Sequence, residues 1–163
     1  MLKTRVHSLF DAIDNRYPDL QEAKLMTEYA ESLDNRLQAV SALEHHEEAI
    51  LQETLTRIFE KYPKVEKRIE GREKTHRDLA LILRYSAQAM LRDDVRFLED
   101  KLLYWLATIL HAFKFGDNCL HDSYVFLNET AHKHLSESHY LLLKPCLERV
   151  IELVPEKENQ HEA

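Results

Sequence analysis

Thr75-His76-Arg77-Asp78-Leu79-Ala80-Leu81-Ile82-Leu83-Arg84-Tyr85 is the stretch on which the fold turns. Leu79, Ile82 and Leu83, continued by Ala87 and Met90, recur every three or four residues, while charged residues fill the positions between. That spacing places the apolar side chains on one face of a helix, predicted from about Thr75 to Leu91. The same grammar extends to both sides. Tyr29, Leu33, Leu37, Val40 and Leu43 mark one face of a long helix that starts after Pro18, with Asp19 and Glu22 spaced as an N-cap pair. His45-His46-Glu47-Glu48 is a polar interruption expected to bend that helix; the stripe resumes at Leu51, Leu55, Ile58, Phe59 and Tyr62 and stops at Pro63.

Lys64–Lys74 reads as a charged connector carrying Gly71. Asp93 or Asp94 caps the following helix, whose inward stripe is expected at Leu98, Leu102, Trp105, Leu106, Ile109 and Phe113. A turn at Gly116-Asp117-Asn118 precedes two last helices, about Asp122–Leu135 and Ser138–Val154, and a polar tail over 155–163. A short amphipathic segment with Val6, Leu9, Phe10 and Ile13 comes first.

Composition agrees with an all-α chain. Only two glycines and four prolines occur in 163 residues, too few for the positive-φ turns that sandwiches and hairpin-rich barrels need. Strong helix formers dominate instead. Length implies one domain, expected over residues 1–154. The formal charge of −7 makes the chain a poor partner for nucleic acid, which is held through phosphate neutralisation. The apolar runs, such as Leu79–Leu83, are far short of a membrane span, so no membrane insertion is expected. Two cysteines, Cys119 and Cys146, provide no disulfide framework, and Met1–Arg5 lacks an apolar leader. A soluble cytoplasmic protein is the expectation.

Catalytic patterns are weak. His76-Arg77-Asp78-Leu79 copies the start of a protein-kinase catalytic loop, but the Asn that should follow and any glycine-rich phosphate loop are missing. Glu129-Thr130-Ala131-His132 has the spacing of a di-metal bundle ligand pair. Its one counterpart, Glu158-Asn159-Gln160-His161, falls in the tail, and Cys119-Leu120-His121 has no second pair at zinc spacing. These histidines read as solvated polar faces, and no metal site is assigned. A metal-dependent helical-bundle enzyme is the alternative from another class. Cys146 sits on an apolar stripe and reads as core.

The opening stretch resembles the chromophore helix of the phycobiliproteins, whose pattern is Cys-x-Arg-Asp, apolar residues, then Leu-Arg-Tyr. Arg77, Asp78, Leu83, Arg84 and Tyr85 fall in register. Upstream, Asp14 and Arg16 match the family's N-terminal hairpin, and Leu33, Arg36, Leu37, Val40, Leu43, Ile50, Phe59 and Pro63 its next two helices. Downstream, Asp94, Leu98, Glu99, Asp100, Leu103 and Leu106 match the helix that follows. The resemblance implies a globin-like all-α fold with an N-terminal helical hairpin over about residues 1–20.

It also implies a site with one departure. Thr75 stands where the family carries its bilin-attaching cysteine, and a hydroxyl cannot form the thioether. Arg77 and Asp78 occupy the positions that contact a bilin propionate and the pyrrole N–H groups, so the resemblance implies no covalent cofactor and leaves room for a noncovalent bilin. The connector is shorter than in the family, and Glu70 and Gly71 replace arginines of the pocket wall. For assembly, the family pairs an Asp of the hairpin with an Arg and a Tyr of the partner. Asp14 and Arg84, beside Tyr85, hold the first two places, and Gln88 replaces the Tyr. The implied protein is non-enzymatic and related to phycobilisomes, the antennae of photosynthetic light harvesting in cyanobacteria and red algae. It would dimerise or join phycobiliprotein subunits in antenna structure, regulation or turnover, in the cytoplasm at the thylakoid face. A noncovalent bilin-binding light-harvesting or sensor protein is the alternative within the family.

Overall fold

The computed structural model describes residues 7–115 and 118–155. In chain order these form α1 (His7–Ala12), α2 (Leu20–Lys61), α3 (Pro63–Glu66), α4 (Gly71–Arg92), α5 (Val95–Leu98), a π-helical turn (Glu99–Leu103), α6 (Tyr104–Ala112), α7 (Cys119–His134) and α8 (Glu137–Leu153). No strand occurs among the described residues. Val6, the Gly116-Asp117 turn and the tail beyond Pro155 lie outside them. Of the expected hairpin, the described part is α1 and an extended link that enters α2 at Asp19.

Local chemistry sets the start of α2. The Asp19 carboxylate accepts from the Glu22 backbone N–H and the Glu22 carboxylate from the Asp19 N–H, both at 2.8 Å. This capping box satisfies two of the donors orphaned at a helix N-terminus. Arg16 forks onto both Glu22 oxygens at 2.7 and 2.9 Å, and that guanidinium, with the Asp19 backbone bond, holds the Glu22 carboxyl at about 2. From there α2 runs unbroken to Lys61. The bend expected at His45–Glu48 does not form, because polar residues on a solvated face do not interrupt backbone bonds. Tyr62 closes the helix, and Pro63 serves as the first residue of α3, where its missing N–H costs nothing.

Helix α4 begins at Gly71, a full turn before the expected Thr75. Glu70, in the left-handed region at φ 54°, turns the chain into it. A Cβ on Gly71 would lie 2.2 Å from the Val65 carbonyl oxygen and 2.9 Å from that of Glu66. Only glycine lets α3 and α4 approach so closely. At the other end Asp93 is the left-handed C-cap of α4, while Asp94 caps α5 by accepting from the Phe97 N–H.

The core lies where α4, α7 and α8 pack on the second half of α2. Ile50, Leu51, Leu55, Ile58, Ile82, Leu83, Leu98, Leu103, Leu127, Leu143 and Leu147 are fully buried there. Across the α2–α7 seam, Glu53 takes Lys133 and His134, Arg57 pairs with Glu129, and Lys61 with Asp122. Cys146 is buried as expected, and burial pushes its thiol up to about 12.

Two expected stripes are met only in part. Leu98, Leu102 and Leu106 are buried as expected, but Trp105 and Phe113 are 57% and 58% exposed, and Leu103, Ala107 and Leu110 turn inward in their place. The π turn at Glu99–Leu103 explains this: each turn holds an extra residue, so the helix beyond it lags by about one position. In α2, Tyr29 and Leu33 are only half-buried and Leu37 is exposed, because the globular body covers little of that part of the helix, whereas Val40, half-buried, packs at the edge of the core.

Candidate functional site

Thr75 and Asp78 are three apart on α4 and share a face, as helical spacing requires. That face looks into a cleft of about 40 Å³ that also takes in Ile58 of α2, Val65 of α3, Leu110, Phe115, and Cys119, Leu120, Ser123 and Tyr124 of α7. The Thr75 hydroxyl donates to the Gly71 carbonyl at 2.7 Å. Arg77 does not line the cleft. It folds back on its neighbour, donating from Nε and Nη2 to one oxygen of Asp78 at 3.2 and 3.0 Å, and its side chain is 65% exposed.

Cys119 and Tyr124 are the lining groups that sequence reasoning missed. They lie more than forty residues beyond Asp78, and only the packing of α7 brings them there. Burial raises the Cys119 thiol above its usual range, and burial with the charge of Asp78 does the same for the Tyr124 phenol. Neither is a ready nucleophile at neutral pH.

A second concavity, about 420 Å³, runs between α2 and α4. Val40, Leu43, Leu83, Ala87 and Leu91 form its apolar floor; Glu44, Glu47, Arg84 and Gln88 supply the polar groups. Arg84 is held inside the chain, its Nη2 and Nε donating to the two Glu47 oxygens at 2.6 and 3.1 Å. That pairing raises the Arg84 pKa, chiefly through the hydrogen bonds. Tyr85 does not line the groove: it is half-buried and stacks on Phe97 with ring centroids 6.2 Å apart. Asp14 is exposed on the link between α1 and α2. Thus Arg84 and Gln88 share a surface, Tyr85 looks elsewhere, and Asp14 makes no pair with Arg84 inside the chain.

The metal-like pattern is used otherwise. Glu129 faces Arg57, and His132 bonds Glu137 at 2.7 Å while stacking on Tyr140. His76 pairs with Glu48. Among the described residues no cluster of three His, Cys, Asp or Glu side chains is placed to hold a metal ion, and no helix is long and apolar enough to cross a membrane.

The family model described as "Phycobilisome protein" matches residues 10–154. The chain belongs to the phycobilisome protein family. No curated protein gives a significant match. The match spans α1 to α8, apart from the first residues of α1, and the helical architecture is the globin-like all-α fold of phycobiliproteins. Phycobilisome proteins are typically non-enzymatic antenna components, assemble into oligomers and normally bind bilins. The α4 cleft does not fit such a group as it stands. Sites that enclose ligands of drug size measure about 300–1,000 Å³, and 40 Å³ is smaller by an order of magnitude.

Proposed function

We propose that this phycobilisome-family chain is a non-enzymatic antenna component. It assembles with itself or with phycobiliprotein subunits, and serves structure, regulation or turnover without a covalent bilin. The observation that carries this reading is the pairing of an unpacked arm with an unfilled apolar groove. On one side are α1, the link and the first half of α2, where Phe10, Tyr17 and Leu20 are 64%, 94% and 91% exposed. On the other is the α2–α4 groove, with Arg84 and Gln88 at the positions the family uses for partners. Apolar surface on that scale is costly in water and gains by burial, at roughly 25 cal/mol per Å². In a paired state Asp14 of one subunit would meet Arg84 of the other and share it with Glu47.

The remaining features follow this reading. Residues 1–154 act as one phycobilisome-type domain with 155–163 as a tail, and the setting is the cytoplasm beside the thylakoid. Thr75 cannot carry a thioether, and the small cleft weighs against a noncovalent bilin sensor. Sedimentation velocity on the purified chain, alone and mixed with purified phycobiliprotein, tests the proposal. A dimer or a mixed complex that Arg84→Ala weakens is expected. A monomer that ignores phycobiliprotein at tens of micromolar would sink it.

A further inference from the structure

The cleft at Thr75 and Asp78 is small, but it is polar where it matters. Tyr124 is only 4% exposed and lines the cleft, and its hydroxyl is bonded to no described residue. Asp78 commits one carboxylate oxygen to Arg77; the other has no protein donor among the described residues. The Asp78 charge, after burial, raises the Tyr124 phenol, and no hydrogen bond joins the two side chains directly. Both line the same 40 Å³, and the helices that carry them, α4 and α7, each pack on α2.

A buried phenol is almost always hydrogen-bonded, to protein or to water, and the Asp78 side chain, 24% exposed, is itself within reach of water. A space of some 10–15 Å³ suffices for one water if two to four polar partners surround it. Here Tyr124 Oη, the second Asp78 oxygen and the hydroxyls of Thr75 and Ser123 are the partners available. We propose that this cleft is a structural water site, in which an ordered water bridges the Tyr124 hydroxyl to the Asp78 carboxylate and ties α7 to α4. The carboxylate is then satisfied from within the chain, by water and by Arg77. The inference is independent of the assembly reading, since it concerns only the isolated subunit.

Tyr124→Phe keeps the ring and removes one end of the bridge. Deleting a hydroxyl that bonds nothing leaves stability unchanged or improves it, whereas deleting a bridged one costs. We expect the thermal midpoint to fall by about 2–4 °C. Asp78→Asn should lower it too, and the double variant should fall by clearly less than the sum of the two. An unchanged or raised midpoint for Tyr124→Phe, or strict additivity, overturns the proposal. So does a crystal structure of the full chain in which Tyr124 bonds Asp78 directly, or in which no density lies within hydrogen-bond reach of both. Titration with biliverdin supplies a readout apart from stability: no saturable visible band is expected, and one that Asp78→Asn abolishes would show the cleft opening to a tetrapyrrole instead. Failure of any of these leaves the sedimentation result untouched, so the two proposals stand or fall separately.

Discussion

Helix α2 is continuous, yet its two halves live in different environments. Every buried residue of α2 lies between Ala39 and Phe59. From Leu20 to Gln38, about 28 Å of helix at 1.5 Å per residue, no residue is buried. The body half is helical because α4, α7 and α8 bury one face of it. The arm half relies on its capping box, on the Arg16–Glu22 fork and on one clasp to the body. In that clasp Tyr29 donates to the Leu91 carbonyl, and Arg36 reaches the Met90 carbonyl and Asp93 at the C-terminal end of α4, where a cation suits the helix dipole. The lesson is that an apolar stripe reports the capacity to be buried, and only tertiary structure says whether it is used.

The largest expected effect breaks the comparison directly. Leu55→Ala removes a fully buried side chain and should cost about 2–5 kcal/mol, while Leu37→Ala, on the exposed arm, should stay within ~0.5 kcal/mol. Urea denaturation of the two measures both; equal losses would mean that the arm is as integral as the body. Next comes Gly71→Ala, whose Cβ would meet the Val65 and Glu66 carbonyls. Displacing that backbone should cost about 1–3 kcal/mol and loosen the connector, read as a lower urea midpoint. A neutral result would show that α3 yields freely.

Smaller effects sharpen the contrast. Asp19→Ala deletes the cap, worth about 0.5–2 kcal/mol of local helix stability. It should speed amide exchange at the start of α2 while the global midpoint hardly moves. Acid should do the same more gently. Glu22 titrates at about 2 when folded, below the 4.5 of the free side chain. Its contribution is therefore fully present above pH 4.5 and is lost as pH falls towards 2. The protection of the early α2 amides, measured relative to their intrinsic exchange rate at each pH, should fall across that window in the wild type and lose the pH step in Glu22→Gln. Smallest is Arg84→Ala in the isolated subunit, since an exposed pair with Glu47 is worth about 0–1 kcal/mol. Its consequence belongs to association, not to folding.

The elements themselves were legible because periodicity and caps are local. The Asp19–Glu22 pair, the stop at Pro63, and the inward Leu79, Ile82, Leu83 and Met90 all stand as the sequence implies. What escaped was phase and context. Nothing in Glu99-Asp100-Lys101-Leu102-Leu103 announces a π turn, so Leu106 is inward as the spacing implies while Trp105 and Phe113 turn out and Ala107 and Leu110 turn in. At the candidate site, the Thr75–Asp78 face was readable from helical spacing. Its opposite wall, Cys119 and Tyr124, depends on how α7 docks, which no spacing on α4 encodes. The groove of Arg84 was visible only as two residues; Glu47, thirty-seven positions earlier, is what holds the guanidinium in place.

The unpacked half of α2 has a further consequence for the lifetime of a subunit. Helical segments that bury little open at low cost in free energy, and transient opening is what proteases exploit. A lone chain thus offers a cleavable stretch between α1 and Gln38 while its core stays closed. A partner covering that stretch would slow its opening, so the survival time of each copy would report whether it had found its place.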